Sequence, residues 1–355
     1  MTILLLILGF VLLVGGAEML VRGASGIAIA MKIPALIIGL TVVAYGTSAP
    51  ELAVSVFSGF SGQADIALGN VVGSNIANIL LILGLSALIA PLAVSSQLVR
   101  FDVPVMIGIS ILTFVMAMDG KLGRLDGAVL FAGAIAYTVI LIRMGRREGL
   151  SQADNEDGSD AAADSSSRWM RNVLYVLTGL GLLVLGSHWL VTGATAAARY
   201  LGVSELVIGL TLVALGTSLP ELATSVVASI RGQRDISVGN VIGSNIFNIL
   251  FVLGLSSLVS PAGIPVSPTA LRFDIPVMIA VAVACLPVFF TGSSISRGNG
   301  LLFLFYYVAY ILYLFLAASQ HSALDAFDRA MTYFIFPLTA VTLAILAWRE
   351  MKSAK

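Results

Sequence analysis

The sequence predicts an all-α polytopic membrane protein: two inverted-topology repeats of five transmembrane helices, plus one extra C-terminal helix. Three observations lead there, namely a composition too apolar for water, about eleven long apolar stretches, and an internal repeat holding an odd number of them. Of 355 residues, 58% are hydrophobic and 11% charged, with 19 Lys and Arg against 19 Asp and Glu. Soluble domains carry about 25% charged residues, so the chain lacks the polar surface it would need. Zero formal net charge leaves no basic face for nucleic acid. One cysteine, Cys285, and two histidines, His188 and His321, exclude a disulfide framework and Cys/His metal patterns, so a bound metal would need oxygen ligands.

About 20 charge-poor apolar residues suffice to cross the hydrocarbon core of a bilayer. The expected spans have approximate cores at 2–30, 35–59, 65–90, 102–118, 125–143, 171–199, 205–229, 235–259, 274–291, 299–318 and 331–348. The first is expected to be a mature helix, because no Lys or Arg precedes Leu4 and the apolar run continues past Arg22. Cytoplasmic loops collect Lys and Arg. An outside N-terminus puts Lys32, Arg100, Arg143, Arg146, Arg147, Arg168, Arg171, Arg231, Arg234, Arg297, Arg349, Lys352 and Lys355 on one side. Only Lys121, Arg124, Arg199, Arg272 and Arg329 fall on the other, so the expectation is N-terminus out and C-terminus in, in a prokaryotic inner (plasma) membrane.

Four segments follow: a first membrane repeat at 1–143, a cytoplasmic disordered linker at 144–170, a second repeat at 171–318, and an extra helix with a basic tail at 319–355. The linker is rich in Ser, Asp and Ala. Asn155, Asp157, Gly158 and Asp164 echo calcium-loop positions, but Ala153 stands where the first ligand should be and no flanking helices are expected, which favours the plain linker.

Shifting the chain by 170 aligns 37–86 with 207–256, with about 33 of 50 positions identical. IGLTVVAYGTSAPELAVSV faces IGLTLVALGTSLPELATSV, and GQADIALGNVVGSNIANIL faces GQRDISVGNVIGSNIFNIL. Weaker echoes, such as RFDVPVMI and RFDIPVMI, carry the repeat over about five helices per half. Five is odd, so the halves must cross the membrane in opposite senses. That architecture is typical of secondary transporters, with the site near the midplane where the copies meet.

The second helix of each half carries GTSxPE: Gly46, Thr47, Ser48, Pro50 and Glu51, then Gly216, Thr217, Ser218, Pro220 and Glu221. A carboxylate at mid-span costs several kcal/mol and marks function by default. Pro50 and Pro220 are expected to unwind the helix and free carbonyls near Ala44, Thr47, Ala214 and Thr217. The third helix is expected to begin at an N-cap, Asp65 or Asp235, and then carries Asn70, Ser74 and Asn78, or Asn240, Ser244 and Asn248, every four residues along one face. Interhelical hydrogen bonding, with Gly73 and Gly243 allowing close approach, is the plainer account, and it weighs most for Asn70, Asn75, Asn240 and Asn245. Two carboxylates with hydroxyl, carbonyl and amide oxygens suit hard cations, and two negative charges balance one calcium or about two sodium ions.

At these motifs the sequence resembles the cation/calcium exchanger superfamily, specifically prokaryotic sodium/calcium exchangers, over about residues 1–320. The resemblance implies ten helices in two inverted fives, with Ca2+ bound by Glu51, Glu221 and the carbonyls of Thr47 and Thr217. It implies sodium sites at Ala44, Thr47, Ser74 and Glu51, and at Ala214, Thr217, Ser244 and Glu221, with Asn78 and Asn248 beside them and Ser48, Ser218, Pro50 and Pro220 in support. The archaeal pattern has an aspartate where this chain has Asn248, which makes the site here more symmetric and less acidic. The first helix of each half, 2–30 and 171–199, would slide against the core, and their Glu18 and His188 are taken as unpaired packing or interfacial groups. The activity implied is Ca2+ export against Na+ by alternating access, with no cofactor, no enzyme activity and no protein partner. Cation/proton exchange is the first rival, although its relatives carry GNxxE where Gly73 and Gly243 stand here. A passive channel is the second. An intramembrane enzyme is a poor third, lacking a nucleophile–base pair.

Overall fold

The computed structural model describes residues 2–61, 63–153, 165–203, 205–213, 215–290 and 294–331. Among these, eight helices are long and apolar enough to cross a membrane, and a bent pair makes a ninth. The interrupted stretch 205–230, which ends in the short apolar helix Leu219–Ile230, is the symmetric counterpart of that pair and completes five per half. The first half comprises α1 (Thr2–Met31), the bent pair α2 (Ala35–Thr47) and α3 (Ala49–Phe60), α4 (Ile66–Ile89), α5 (Leu98–Asp119) and α6 (Arg124–Ala153). The second comprises α7 (Ser165–Tyr200), α8 (205–213), α9 (Leu219–Ile230), α10 (Arg234–Val259), α11 (Ala270–Phe289) and α12 (Arg297–Ala318). A short helix, α13 (Leu324–Ala330), follows. Beyond Met331 the eleventh span expected at 331–348 lies outside the described residues, as does the centre of the expected linker. Helix reaches into that linker from both ends, to Ala153 and from Ser165, so the acidic stretch does have flanking helices.

The halves are antiparallel. Along α1 and α7 the contacts run in opposite order: Gly9 lies on Gly186 and Leu190, Gly16 on Gly179 and Leu183, and Gly23 on Asn172 and Val176. A Cβ at Gly16 would stand 2.8 Å from the Gly179 carbonyl oxygen, so only glycine allows this approach. Short loop strands repeat the symmetry. Leu92–Ala93 pairs antiparallel with Ser294–Ile295, and Lys121–Leu122 pairs with Ile264–Pro265. α4 and α10 form the centre, with Val71, Ile76, Ile79, Ile82, Val241, Ile246, Ile249 and Val252 fully or almost fully buried.

Three local expectations need correction. The N-caps of α4 and α10 are Gln63 and Gln233, without side-chain capping bonds, because tight turns close through Gln63 N–H to the Ser58 carbonyl (3.0 Å) and Gln233 N–H to the Ala228 carbonyl (2.8 Å). Asp235 sits in the first turn, where a carboxylate complements the helix dipole. Pro50 leaves no unwound stretch before it, whereas 215–218 ahead of Pro220 run as turn. Pro50 and Pro220 each stand in the first turn of a new helix, where a missing N–H costs nothing. In the first half the break is one residue wide, a 47° bend at Ser48, and the Ala44 carbonyl still accepts from the Ser48 N–H (3.1 Å). Glu18 is not unpaired either: it accepts from Arg22 one turn on and from Arg231, both Nε (2.9 Å) and Nη2 (2.8 Å). His188, at the same place in the other half, is exposed.

Candidate cation site

The breaks at Ser48 and Ser218 place Glu51 and Glu221 in the first turns of α3 and α9, at the contact between the halves. Both carboxylates are fully buried. Each is held by the opposite half. Ser48 Oγ donates to Glu221 Oε1 (2.8 Å), and Ser218 Oγ donates to Glu51 Oε1 (3.1 Å). Thr47 donates to Asn240 Oδ1 (3.0 Å), as Thr217 does to Asn70 Oδ1 (3.2 Å). Asn70 in turn donates to the Glu51 carbonyl and Ser55, and Asn240 to the Glu221 carbonyl and Ser225. The interhelical hydrogen bonding expected of Asn70 and Asn240 is thus present, and it braces the backbone of the acidic turns.

Ser74 Oγ lies 3.5 Å from Glu51 Oε1 and 3.1 Å from Ser218 Oγ. Ser244 Oγ lies 3.5 Å from the Ala44 carbonyl, and the hydroxyls of Thr47 and Ser244 face Glu221. Thr217 faces Glu51. The oxygen groups thus cross between halves: Ala44, Thr47 and Ser48 meet Glu221 and Ser244, whereas Thr217 and Ser218 meet Glu51 and Ser74. This differs from the same-half grouping of Ala44 and Thr47 with Glu51 and Ser74. The reason is tertiary, since each broken helix lies across the other half's third helix. Ala214 lies outside the described residues.

Four buried acceptors here have no hydrogen-bond donor among the described residues: Glu51 Oε2, Glu221 Oε2, Asn78 Oδ1 and Asn248 Oδ1. A buried carboxylate oxygen without a donor is costly, and a cation is the species that satisfies such a set. Among the described residues no three His, Cys, Asp or Glu gather, so an ion here depends on two carboxylates and neutral oxygens. That is hard-cation chemistry.

The packing around the site is asymmetric. α2 seals α10: a Cβ at Gly239 would meet the Leu36 carbonyl at 2.9 Å, and one at Gly243 the Leu40 carbonyl at 2.7 Å. Gly39 packs on Ile236, which is 0% exposed. On the mirror side Gly209 and Gly69 are exposed and Gly73 is half-buried, and Ile66, the counterpart of Ile236, is 44% exposed. The symmetry that governs the site is therefore broken around it, with α8 drawn away from the start of α4.

Comparison with known proteins places this geometry. The family described as sodium/calcium exchanger protein matches residues 1–143 and 171–316. The chain belongs to that family. It is 35% identical over 344 residues to the sodium/calcium exchanger MaX1 of Methanosarcina acetivorans, covering 88% of this chain and 98% of that one. It is 40% identical over 284 residues to the inner membrane protein YrbG of Escherichia coli, covering 79% and 86%. A solved structure of the exchanger NCX_Mj, soaked with zero Na+ and Ca2+, superposes with a TM-score of 0.75 at 32% identity, covering 88% of this chain and 98% of that one. The chain is a multi-pass membrane exchanger in two inverted halves.

Two features had gone unread in the sequence. Widened π-helical turns occupy matching places, including Gly39–Val43 with Gly209–Val213, and Asn78–Leu83 with Asn248–Leu253. Such turns recur at functional sites. Second, Tyr137 donates to the buried Asp102 (2.8 Å), as does Gln97 (3.1 Å), and Tyr310 donates to Asp274 (3.4 Å). The repeated RFD was the signal, but these acids are satisfied and stand apart from the four open acceptors.

Proposed function

We propose that this exchanger moves Ca2+ out of the cell in return for Na+ by alternating access, in a prokaryotic inner membrane with its N-terminus outside and its C-terminus inside. The observation that carries this is the set of four donorless buried oxygens, two from the carboxylates Glu51 and Glu221 of opposite halves and two from the amides of Asn78 and Asn248. The two negative charges balance one Ca2+ or two Na+. Ca2+ is taken by Glu51 and Glu221 together with oxygens of Thr47 and Thr217. Na+ occupies the crossed sets, Ala44, Thr47, Ser244 and Glu221 on one hand, and Ala214, Thr217, Ser74 and Glu51 on the other, with Asn78 and Asn248 between them.

Alternation follows from the broken symmetry. In the mirror-image state α8 closes on Gly69 and Gly73 while α2 leaves Gly239 and Gly243, and the glycine-lined pair α1 and α7 slides over the core. On the proposed topology the open side here is the outside. The segments act as two repeats, 1–143 and 171–318, joined by the acidic linker and followed by a C-terminal helix. The test is Ca2+ flux in vesicles with an imposed Na+ gradient, with a pH gradient imposed separately. Flux that follows only the pH gradient would instead identify proton coupling.

A further inference from the structure

Asn75 and Asn245 lie one residue past the serines and, fully satisfied themselves, touch neither carboxylate. Asn75 Nδ2 donates to the Asn245 backbone carbonyl (3.2 Å) and towards Met278 Sδ (3.7 Å). Asn245 Nδ2 donates to the Asn75 backbone carbonyl (3.2 Å) and towards Met106 Sδ (3.6 Å). A backbone carbonyl can only accept, so these bonds fix which end of each amide is nitrogen. The side-chain oxygens of Asn75 and Asn245 must then point the other way, where each meets an amide from the opposite half. Asn248 Nδ2 donates to Asn75 Oδ1 (3.1 Å), and Asn78 Nδ2 donates to Asn245 Oδ1 (2.9 Å). With their nitrogens engaged, Asn78 and Asn248 are left with Oδ1 as the free end, and those are two of the four donorless oxygens. All four asparagines are at most 1% exposed, so water cannot substitute freely.

We propose that Asn75 and Asn245 are positioning residues for ion binding. They act through Asn248 and Asn78, holding both amides carbonyl-first so that the centre of the site offers only acceptors. A freely turning amide would present a donor half the time and oppose a cation. The relay is anchored on two backbone carbonyls in the last turn before the π turns, and it is the same in both halves despite the loss of symmetry around it. It also explains why Asn suits position 248: the group facing Asn75 Oδ1 must donate, which an ionised carboxylate cannot do.

The inference rests on the exchange function proposed above, and its test separates the two. Purified protein is reconstituted, and half-saturating Ca2+ and Na+ are measured for wild type, Asn75→Ala, Asn248→Ala and the double variant, with melting temperature followed alongside. Loss of one bond to a now-mobile ligand is expected to raise half-saturation about 5- to 20-fold in Asn75→Ala. The double variant is expected to be no worse than Asn248→Ala alone, because Asn75 acts through Asn248. A purely structural Asn75 predicts a lower melting temperature with half-saturation unchanged in Asn75→Ala, and that result overturns the inference, as does a double variant whose half-saturation loss is the sum of two separate losses. Asn75→Ser, which keeps an acceptor, is the milder variant if Asn75→Ala does not fold, and Asn245→Ser with Asn78→Ala repeats the cycle in the mirror half. Absent Na+-driven flux in wild type would instead overturn the exchange function itself.

Discussion

Replacing Glu51 by Gln keeps the volume of a fully buried side chain and removes one of two charges. With the amide oxygen of Gln accepting from Ser218 as Oε1 does, the NH2 takes the place of Oε2. A donor then stands among oxygens that have none, where a cation was to lie. Removing one partner from a buried charge set costs about 3–5 kcal/mol. At about 1.4 kcal/mol per tenfold, Ca2+ binding is expected to weaken about 10²- to 10⁴-fold. Glu221→Gln mirrors it through Ser48, so it is expected to weaken Ca2+ binding over the same range. Equilibrium Ca2+ binding to purified protein in detergent measures this without any transport step. Binding of Glu51→Gln within threefold of wild type would refute the placement of the cation at the carboxylates.

Other expectations follow from the broken symmetry and the glycine contacts. Gly243→Ala puts a methyl 2.7 Å from the Leu40 carbonyl and should destabilise the described state by about 1–3 kcal/mol, read as a lower melting temperature. Gly73→Ala, at the half-buried mirror position, should melt within about 0.5 kcal/mol of wild type. Gly16→Ala, whose methyl would lie 2.8 Å from the Gly179 carbonyl, should slow exchange more than it weakens Ca2+ binding, as the flux-to-binding ratio will show. The partly exposed Glu18–Arg231 pair ties α1 to the end of α9 on the sealed side and has Ser61 and His188 at the mirror positions. An exposed pair contributes about 0.2–1 kcal/mol, so Glu18→Gln should raise thiol labelling of an Ile236→Cys reporter about 1.4- to 5-fold and lower that of Ile66→Cys.

Much of this molecule was legible in the chain because its strongest signals are local or repeated. Span limits for α1, α4 and α10 follow from apolar length, and the odd repeat unit required the inversion that the Gly9–Gly186 and Gly23–Asn172 contacts display. The carboxylates stood out because an acid in a span is costly. What escaped depends on distance in space. The crossing of Ser48 to Glu221 joins residues 173 apart, and periodicity along one helix carries no trace of it. Proline chemistry suggested unwinding, whereas the chain resumes a helix at Pro50, the position where proline is best tolerated. Interhelical hydrogen bonding by Asn75 and Asn245 was legible, but not that their partners are backbone carbonyls in the other half, and the partner of Glu18 was hidden because Arg231 arrives from 213 positions away.

The central claim is that one site, shared by two carboxylates, is used in turn by Ca2+ and Na+. Protein reconstituted into vesicles loaded with Na+ and diluted into Na+-free medium containing radioactive Ca2+, with the potential clamped and the pH equal on both sides, tests it directly. The account predicts Ca2+ accumulation that collapses when the Na+ gradient is dissipated and that is absent in Glu51→Gln. Accumulation that persists without a Na+ gradient, or that Glu51→Gln sustains at the wild-type rate, would contradict it.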